Sequence, residues 1–136
     1  MKSRGVIFDT NLWISFLIRK ELLSIDSYIE KGKIHLIFSE ELLQEFVTVS
    51  QRSKFRNYFS ASDIEDLLRI FDMYGKLVKV NTSINKCRDI KDNFLLNLAI
   101  DSKADYLVTG DIDLLALKKI GITEIITIKD FNKRLK

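Results

Sequence analysis

The chain has 136 residues, 46% of them hydrophobic and 30% charged, which is the length and composition of one packed domain and excludes a disordered tail. Its 22 Lys and Arg residues stand against 19 Asp and Glu residues, a formal charge of +3 that excludes a strongly basic nucleic-acid coat and an acidic tail. A lone cysteine, Cys87, and a lone histidine, His35, exclude an intrachain disulfide and any zinc site rich in Cys or His. The opening MKSRGVIFDTN is cut short by Asp9 and does not read as a signal peptide, and no apolar run is long enough to span a bilayer. The expectation is one cytoplasmic domain over residues 1–136.

Short apolar runs alternate with longer amphipathic ones. Gly5–Phe8 reads as a buried strand, and Asn11–Lys20 and Glu21–Lys31 read as helices that Gly32 stops. Ile34–Phe38 is a second strand, and Ser39 is a good N-cap for a helix through about Ser50. A basic stretch with interleaved rings follows (Arg52, Lys54, Phe55, Arg56, Tyr58, Phe59). Ser62 and Asp63 then cap a helix with Ile64, Leu67, Leu68 and Phe71 on its apolar face, ended by Gly75. Leu77–Val80 is a third strand, and Asp92 opens a helix with Leu95, Leu96 and Ala99 on one side. Tyr106–Thr109 is a fourth strand, Asp113–Ile120 a short helix and Glu124–Ile128 a fifth strand, with a final helical turn in the tail. Solid apolar strands alternating with helices predict an α/β fold: three layers, α/β/α, around a central parallel sheet of about five strands.

In such a sheet, ligands bind beyond the carboxyl ends of the strands, near a topological switch point. Asp9 follows the first strand directly, and Asp111 and Asp113 follow the fourth. Asp92 reaches the same rim at the start of its helix. Glu45 lies about a turn into its helix, where Leu42, Glu45 and Val49 are expected to share an inward face. Asp105 and Glu124 precede or begin strands and belong to the opposite rim. Five carboxylates thus converge from four segments. Like charges held together raise one another's pKa, and a hard divalent cation relieves that. Oxygen ligands without His or Cys select Mg²⁺ or Mn²⁺ over zinc. The near balance of charge then hides a segregation, with acids in one pocket and a more basic remainder around it.

Four pieces of the chain resemble the PIN-domain ribonucleases, a fold used by many toxins of bacterial toxin-antitoxin pairs. VIFDTN at Val6–Asn11 looks like the family's opening strand and first acid. SEELLQEF at Ser39–Phe46 is similar to its helix with an inward glutamate. CRDIKDNFLLNLA at Cys87–Ala99 is similar to its third segment, with Asp92 in the place of the catalytic acid. ADYLVTGDIDLL at Ala104–Leu115 looks like the last acidic motif, in the subgroup ending TGDxDLL. The subgroup usually has proline between its Arg-Asp and Lys-Asp pairs, where this chain has Ile90; no ligand is lost.

The resemblance implies that metal-activated water attacks a phosphodiester of single-stranded RNA, leaving a 5′-phosphate and a 3′-hydroxyl. Asp9 and Asp92 are the implied main ligands of Mg²⁺ or Mn²⁺, Asp111 and Asp113 complete the site, and Glu45 holds a second ion or orients the water. Asn11 and Thr109 are candidates to hold the carboxylates by hydrogen bonds. An antitoxin protein and a second copy of the chain are the implied partners. Trp13, Phe16 and Leu17 share a helix face that is either core or a partner surface. Arg52, Lys54 and Arg56 are candidates to guide RNA, and the rings between them read as core. The rival reading is a non-catalytic RNA- or protein-binding PIN module. A nucleotide-binding module is excluded because FDTNLW has no Gly-rich phosphate loop.

Overall fold

A computed structural model of the chain describes residues 3–19, 31–52, 65, 69, 72, 75–81 and 93–135. Strand β1 (Arg4–Phe8) is followed by α1 (Thr10–Arg19), β2 (Ile34–Phe38) and α2 (Glu40–Ser50). Then come β3 (Gly75–Leu77), α3 (Asn93–Ser102), β4 (Tyr106–Val108), α4 (Ile112–Leu115), β5 (Lys119–Ile120), β6 (Thr123–Ile126) and α5 (Ile128–Leu135). The strands form one sheet in the order β3-β2-β1-β4-β6-β5, parallel except for the β5–β6 pair. Helices flank this mixed, mostly parallel sheet.

The centre of the sheet is apolar on both faces, as its sequence requires. Val6, Ile7 and Phe8 of β1 and Leu107 and Val108 of β4 are fully buried. Each such side chain contributes about 1.5–3 kcal/mol relative to exposure. Phe8 and Tyr106 lie on one face, and Phe131 of α5 covers both edge-on, with ring centroids 5.6 and 5.7 Å away. Trp13 of α1 meets Phe8 at 5.3 Å in the same edge-on geometry, so for this residue the core reading holds. Gly5 sits in close approach: a β-carbon there would meet Ile37 Cδ1 at 2.5 Å and His35 Nε2 at 3.1 Å, so those side-chain ends would have to shift. His35 is half-buried against it, with Nδ1 3.0 Å from Ser3 Oγ. Helix α2 begins where expected, with Ser39 Oγ accepting from the Leu42 amide at 3.2 Å.

The sheet has six strands rather than five, and the difference lies in one segment. The expected helix Asp113–Ile120 is only Ile112–Leu115. Lys118 takes a left-handed backbone (φ 63°), which ends helical propagation. Gly121, also at positive φ (58°), and Ile122 form a two-residue loop that folds Lys119–Ile120 back on β6 as an antiparallel edge strand. The third strand begins at Gly75, two residues before its expected start, because the glycine pairs with Leu36 rather than merely stopping a helix. The tail forms a full helix, α5, capped where Thr127 Oγ1 accepts from the Asp130 amide at 3.2 Å. The helix expected at Glu21–Lys31, the apolar face Ile64–Phe71 and the loop with Ile90 lie almost entirely outside the described residues. No helix among the described residues is long and apolar enough to cross a membrane.

Candidate active site

Strands β1 and β4 are neighbours, yet the chain leaves them in opposite directions, β1 toward β2 and β4 toward β6. Their carboxyl ends form the switch point of the sheet. The register Phe8↔Val108 places Asp9 beside Thr109, and the Asp9 amide donates to the Val108 carbonyl at 3.2 Å. Thr109 is held from the other side, its amide donating to the Ile126 carbonyl at 3.0 Å.

Asp9 is 6% exposed, and both of its carboxylate oxygens are engaged. Oδ1 accepts from the Leu12 amide at 2.8 Å, which caps α1. Oδ2 accepts a short hydrogen bond from the Thr109 hydroxyl. Burial pushes the Asp9 carboxyl above its ordinary value of 3.8. The Thr109 hydroxyl and the Leu12 and Gly110 amides pull it down, and the negative charge of Asp111 pushes it up further. Among the described residues the one ion pair is Arg134–Glu124, so none of the described Lys and Arg side chains pairs with Asp9.

Thr109 Oγ1 also accepts from the Asp111 amide, at 3.0 Å, and so fixes the start of the last acidic motif. Asp111 Oδ1 accepts from the amides of Asp113 (2.8 Å) and Leu114 (3.2 Å), making Asp111 the N-cap of α4. Its other oxygen has no hydrogen bond among the described residues. Asp113 is half-buried in the first turn of α4.

The other expected residues fall differently. Asp92, Lys54 and Arg56 lie outside the described residues, and Arg52 is exposed just after α2. Glu45 does not share the inward face: Leu42, Phe46 and Val49 bury that stripe, at positions i, i+4 and i+7, and Glu45 is exposed on its flank. Asn11 is exposed in the first turn of α1 and, among the described residues, makes no hydrogen bond to Asp9. The helix presents the Leu12 amide to the carboxylate instead. The side chains of Phe16 and Leu17 are not among those described.

Two neighbours of the acids carry no signal in sequence. Thr10 is buried beside Asp9, and its hydroxyl has no partner among the described residues. Ile112, between Asp111 and Asp113, is 81% exposed, an apolar side chain on the rim where a helix start usually reads as polar.

Among the described residues, no three acidic, His or Cys side chains gather as a metal site. The donor set that does meet is of the right kind. Asp9 is desolvated, near the charge of Asp111 and, among the described residues, without a basic partner, and every donor is an oxygen, which suits a hard divalent cation. Asp92 is the residue expected to add to it.

The family model for the PIN domain matches residues 5–113, from β1 through the last acidic motif. The chain belongs to the PIN domain family. This PIN domain is 34% identical over 116 residues to the uncharacterized protein MJ1680 of Methanocaldococcus jannaschii, covering 83% of this chain and 74% of that one. Its fold is similar to that of the PIN domain endonuclease Utp24, with a TM-score of 0.55 and 18% identity over 91% of this chain and 84% of the other. It is similar as well to VapBC2 from Rickettsia felis bound to a DNA fragment from its promoter (TM-score 0.53, 16% identity, 89% and 96% covered). The PIN domain of human SMG5 is a further structural relative (TM-score 0.53, 14% identity, 97% and 99% covered). At these identities the structures share the fold.

Proposed function

We propose that this PIN domain is an endoribonuclease dependent on Mg²⁺ or Mn²⁺ that cuts phosphodiesters of single-stranded RNA. The observation behind this reading is the buried Asp9 at the switch point, which has no basic partner among the described residues and is joined through one hydroxyl to the backbone of Asp111. Desolvated carboxylates without a basic partner are costly unless a cation joins them.

In this mechanism Asp9, Asp92, Asp111 and Asp113 hold the cation, which when bound supplies water activation and stabilises charge on phosphoryl oxygens. The protein's own work is preorganisation. Thr109 and the Leu12 amide fix the Asp9 carboxylate from both sides. The two amides on Asp111 Oδ1 fix that side chain and leave its second oxygen for the site. Glu45, at the exposed flank of α2, orients the attacking water. Arg52, Lys54 and Arg56 draw the RNA toward the rim.

We further read the chain, residues 1–136, as a single domain acting as the toxin of a toxin-antitoxin pair in its TGDxDLL subgroup, self-associating in the cytoplasm. Likeness to a structure that contains VapBC2 supports a partner antitoxin. An assay of single-stranded RNA cleavage with and without Mn²⁺ tests the activity. Asp9→Asn and Asp92→Asn should each abolish cleavage while the protein stays folded. A metal-independent rate, or a rate untouched by both changes, overturns it. Absence of cleavage together with no thermal shift at millimolar Mn²⁺ supports the alternative of a non-catalytic RNA- or protein-binding module.

A further inference from the structure

A polar concavity lies at the end of the sheet opposite the acidic rim, at the amino ends of β1, β4 and β6. Its volume is about 380 Å³, and its lining includes Arg4, Tyr106, Lys118 and Lys119. From Arg4 to Asp9 along β1 is roughly 16 Å at 3.3 Å per residue, so this groove is separate from the acidic rim. Lys118, Lys119 and Ile122 also lie beyond the segment that the family model matches.

Charge in the groove is not balanced locally. Three cations, Arg4, Lys118 and Lys119, line it against two carboxylates; Glu124 is paired with Arg134, and Asp105 Oδ2 accepts from the Gly5 amide at 2.8 Å and keeps its charge. Among the described residues, neither Arg4, Lys118 nor Lys119 has a carboxylate within ion-pair distance. Arg4 is preorganised. Its guanidinium lies 5.7 Å from the centroid of the Tyr106 ring and donates to the Tyr106 hydroxyl, and Tyr106 is itself buried. The remaining N–H groups of that guanidinium are the donors that suit a phosphate.

The backbone brings the two lysines together. Consecutive residues of a strand point to opposite sides, but Lys118 is left-handed (φ 63°), and both lysines line the groove. Ile122, 63% exposed in the β5–β6 loop, adds one apolar contact at the edge.

We infer that this groove binds a backbone phosphate of single-stranded RNA, remote from the cut and reached along the β5 edge of the sheet. The inference rests on the RNA substrate proposed above, and its test separates the two. A fluorescent 20-nucleotide single-stranded RNA is titrated in EDTA, so that no cleavage occurs, across 50–200 mM salt. The double variant Lys118→Glu/Lys119→Glu should weaken binding roughly tenfold and flatten the slope of log Kd against log salt by about 0.7, the loss of one neutralised phosphate. Lys133→Glu, a single reversal at an exposed position of α5, should cost less than twofold. Melting temperature checks that the variants fold. Inorganic phosphate is titrated in parallel, with amide shifts followed at Arg4, Tyr106, Lys118 and Lys119.

If the wild type binds RNA through the groove but cuts none, the nuclease reading fails and this one stands. If phosphate shifts these amides while the double variant keeps its RNA affinity, the groove serves free phosphate or another anionic partner, and the inference is overturned. It is equally overturned if neither ligand perturbs the groove, or if Lys133→Glu weakens binding as much as the double variant.

Discussion

The hydroxyl of Thr109 donates to Asp9 Oδ2 and accepts from the Asp111 amide at 3.0 Å, so one side-chain atom joins strand ends 100 residues apart in sequence. Thr109 is fully buried, and no water can replace it. Thr109→Val keeps the shape and removes both bonds. It should lower the cleavage rate about 10–100-fold, as loss of a group that orients a ligand does. It should also cost about 1–3 kcal/mol of stability, from the unpaired carboxylate oxygen and amide. Thr109→Ser retains the hydroxyl and should recover most of the rate. Cleavage kinetics beside thermal melts check this, and a Val variant as fast as wild type refutes the positioning role.

Asp9 carries a built-in conflict between stability and charge. Burial raises its carboxyl pKa above 3.8 in the folded state. Its contribution to stability is therefore full below 3.8 and is lost as pH rises through the folded value. At neutral pH without divalent metal, Asp9→Asn should melt above the wild type, with the gap closing as pH falls toward 4. Manganese at about 100 times its Kd should raise the stability of the wild type by about 2.7 kcal/mol and leave Asp9→Asn unshifted. Melting curves over pH with EDTA or Mn²⁺ measure both effects. A variant that melts below wild type at pH 7 in EDTA contradicts the conflict.

Asp111 is a helix cap and a candidate ligand at once, and two substitutions separate the roles. Asn caps a helix as well as Asp does, and its side-chain oxygen can accept from the Asp113 and Leu114 amides. Asp111→Asn should therefore keep the melting temperature and lose cleavage. Asp111→Ala should lose cleavage and also about 1 kcal/mol of stability. If Asp111→Asn cleaves normally, the residue is a cap and nothing more.

Much of this arrangement is legible in sequence where the signal is local. A solid apolar run identifies β1 and β4, and the rim rule then puts Asp9 and Asp111 together, because the residue after a parallel strand has one place to go. Signals that depend on phase or backbone hand are weaker. Glu45 and Phe46 are neighbours on α2, and a shift of one residue decides which is buried; the larger apolar surface of Phe46 takes the inward position. Left-handed Lys118 carries no residue signature, so the β5 residues read as the end of the helix Asp113–Ile120. Ile112, in the first turn of α4, is 81% exposed, and nothing in the sequence marks it.

The same pair on α2 allows a last separation. Phe46 is 1% exposed and joins Leu42 and Val49 in the core, so Phe46→Ala should cost about 3–5 kcal/mol through lost burial and a residual cavity. Glu45 is exposed, so Glu45→Gln should leave the stability unchanged within about 0.5 kcal/mol, the usual range for a surface change. The two variants should split oppositely when assayed for cleavage below their melting temperatures. Phe46→Ala retains its rate per folded molecule because the switch point is built from β1 and β4. Glu45→Gln slows the chemical step because an amide orients water less well than a carboxylate. Rates of cleavage under single-turnover conditions, normalised to the folded fraction, decide it. A Glu45→Gln rate equal to wild type removes this residue from the site and leaves the chemistry to the aspartates.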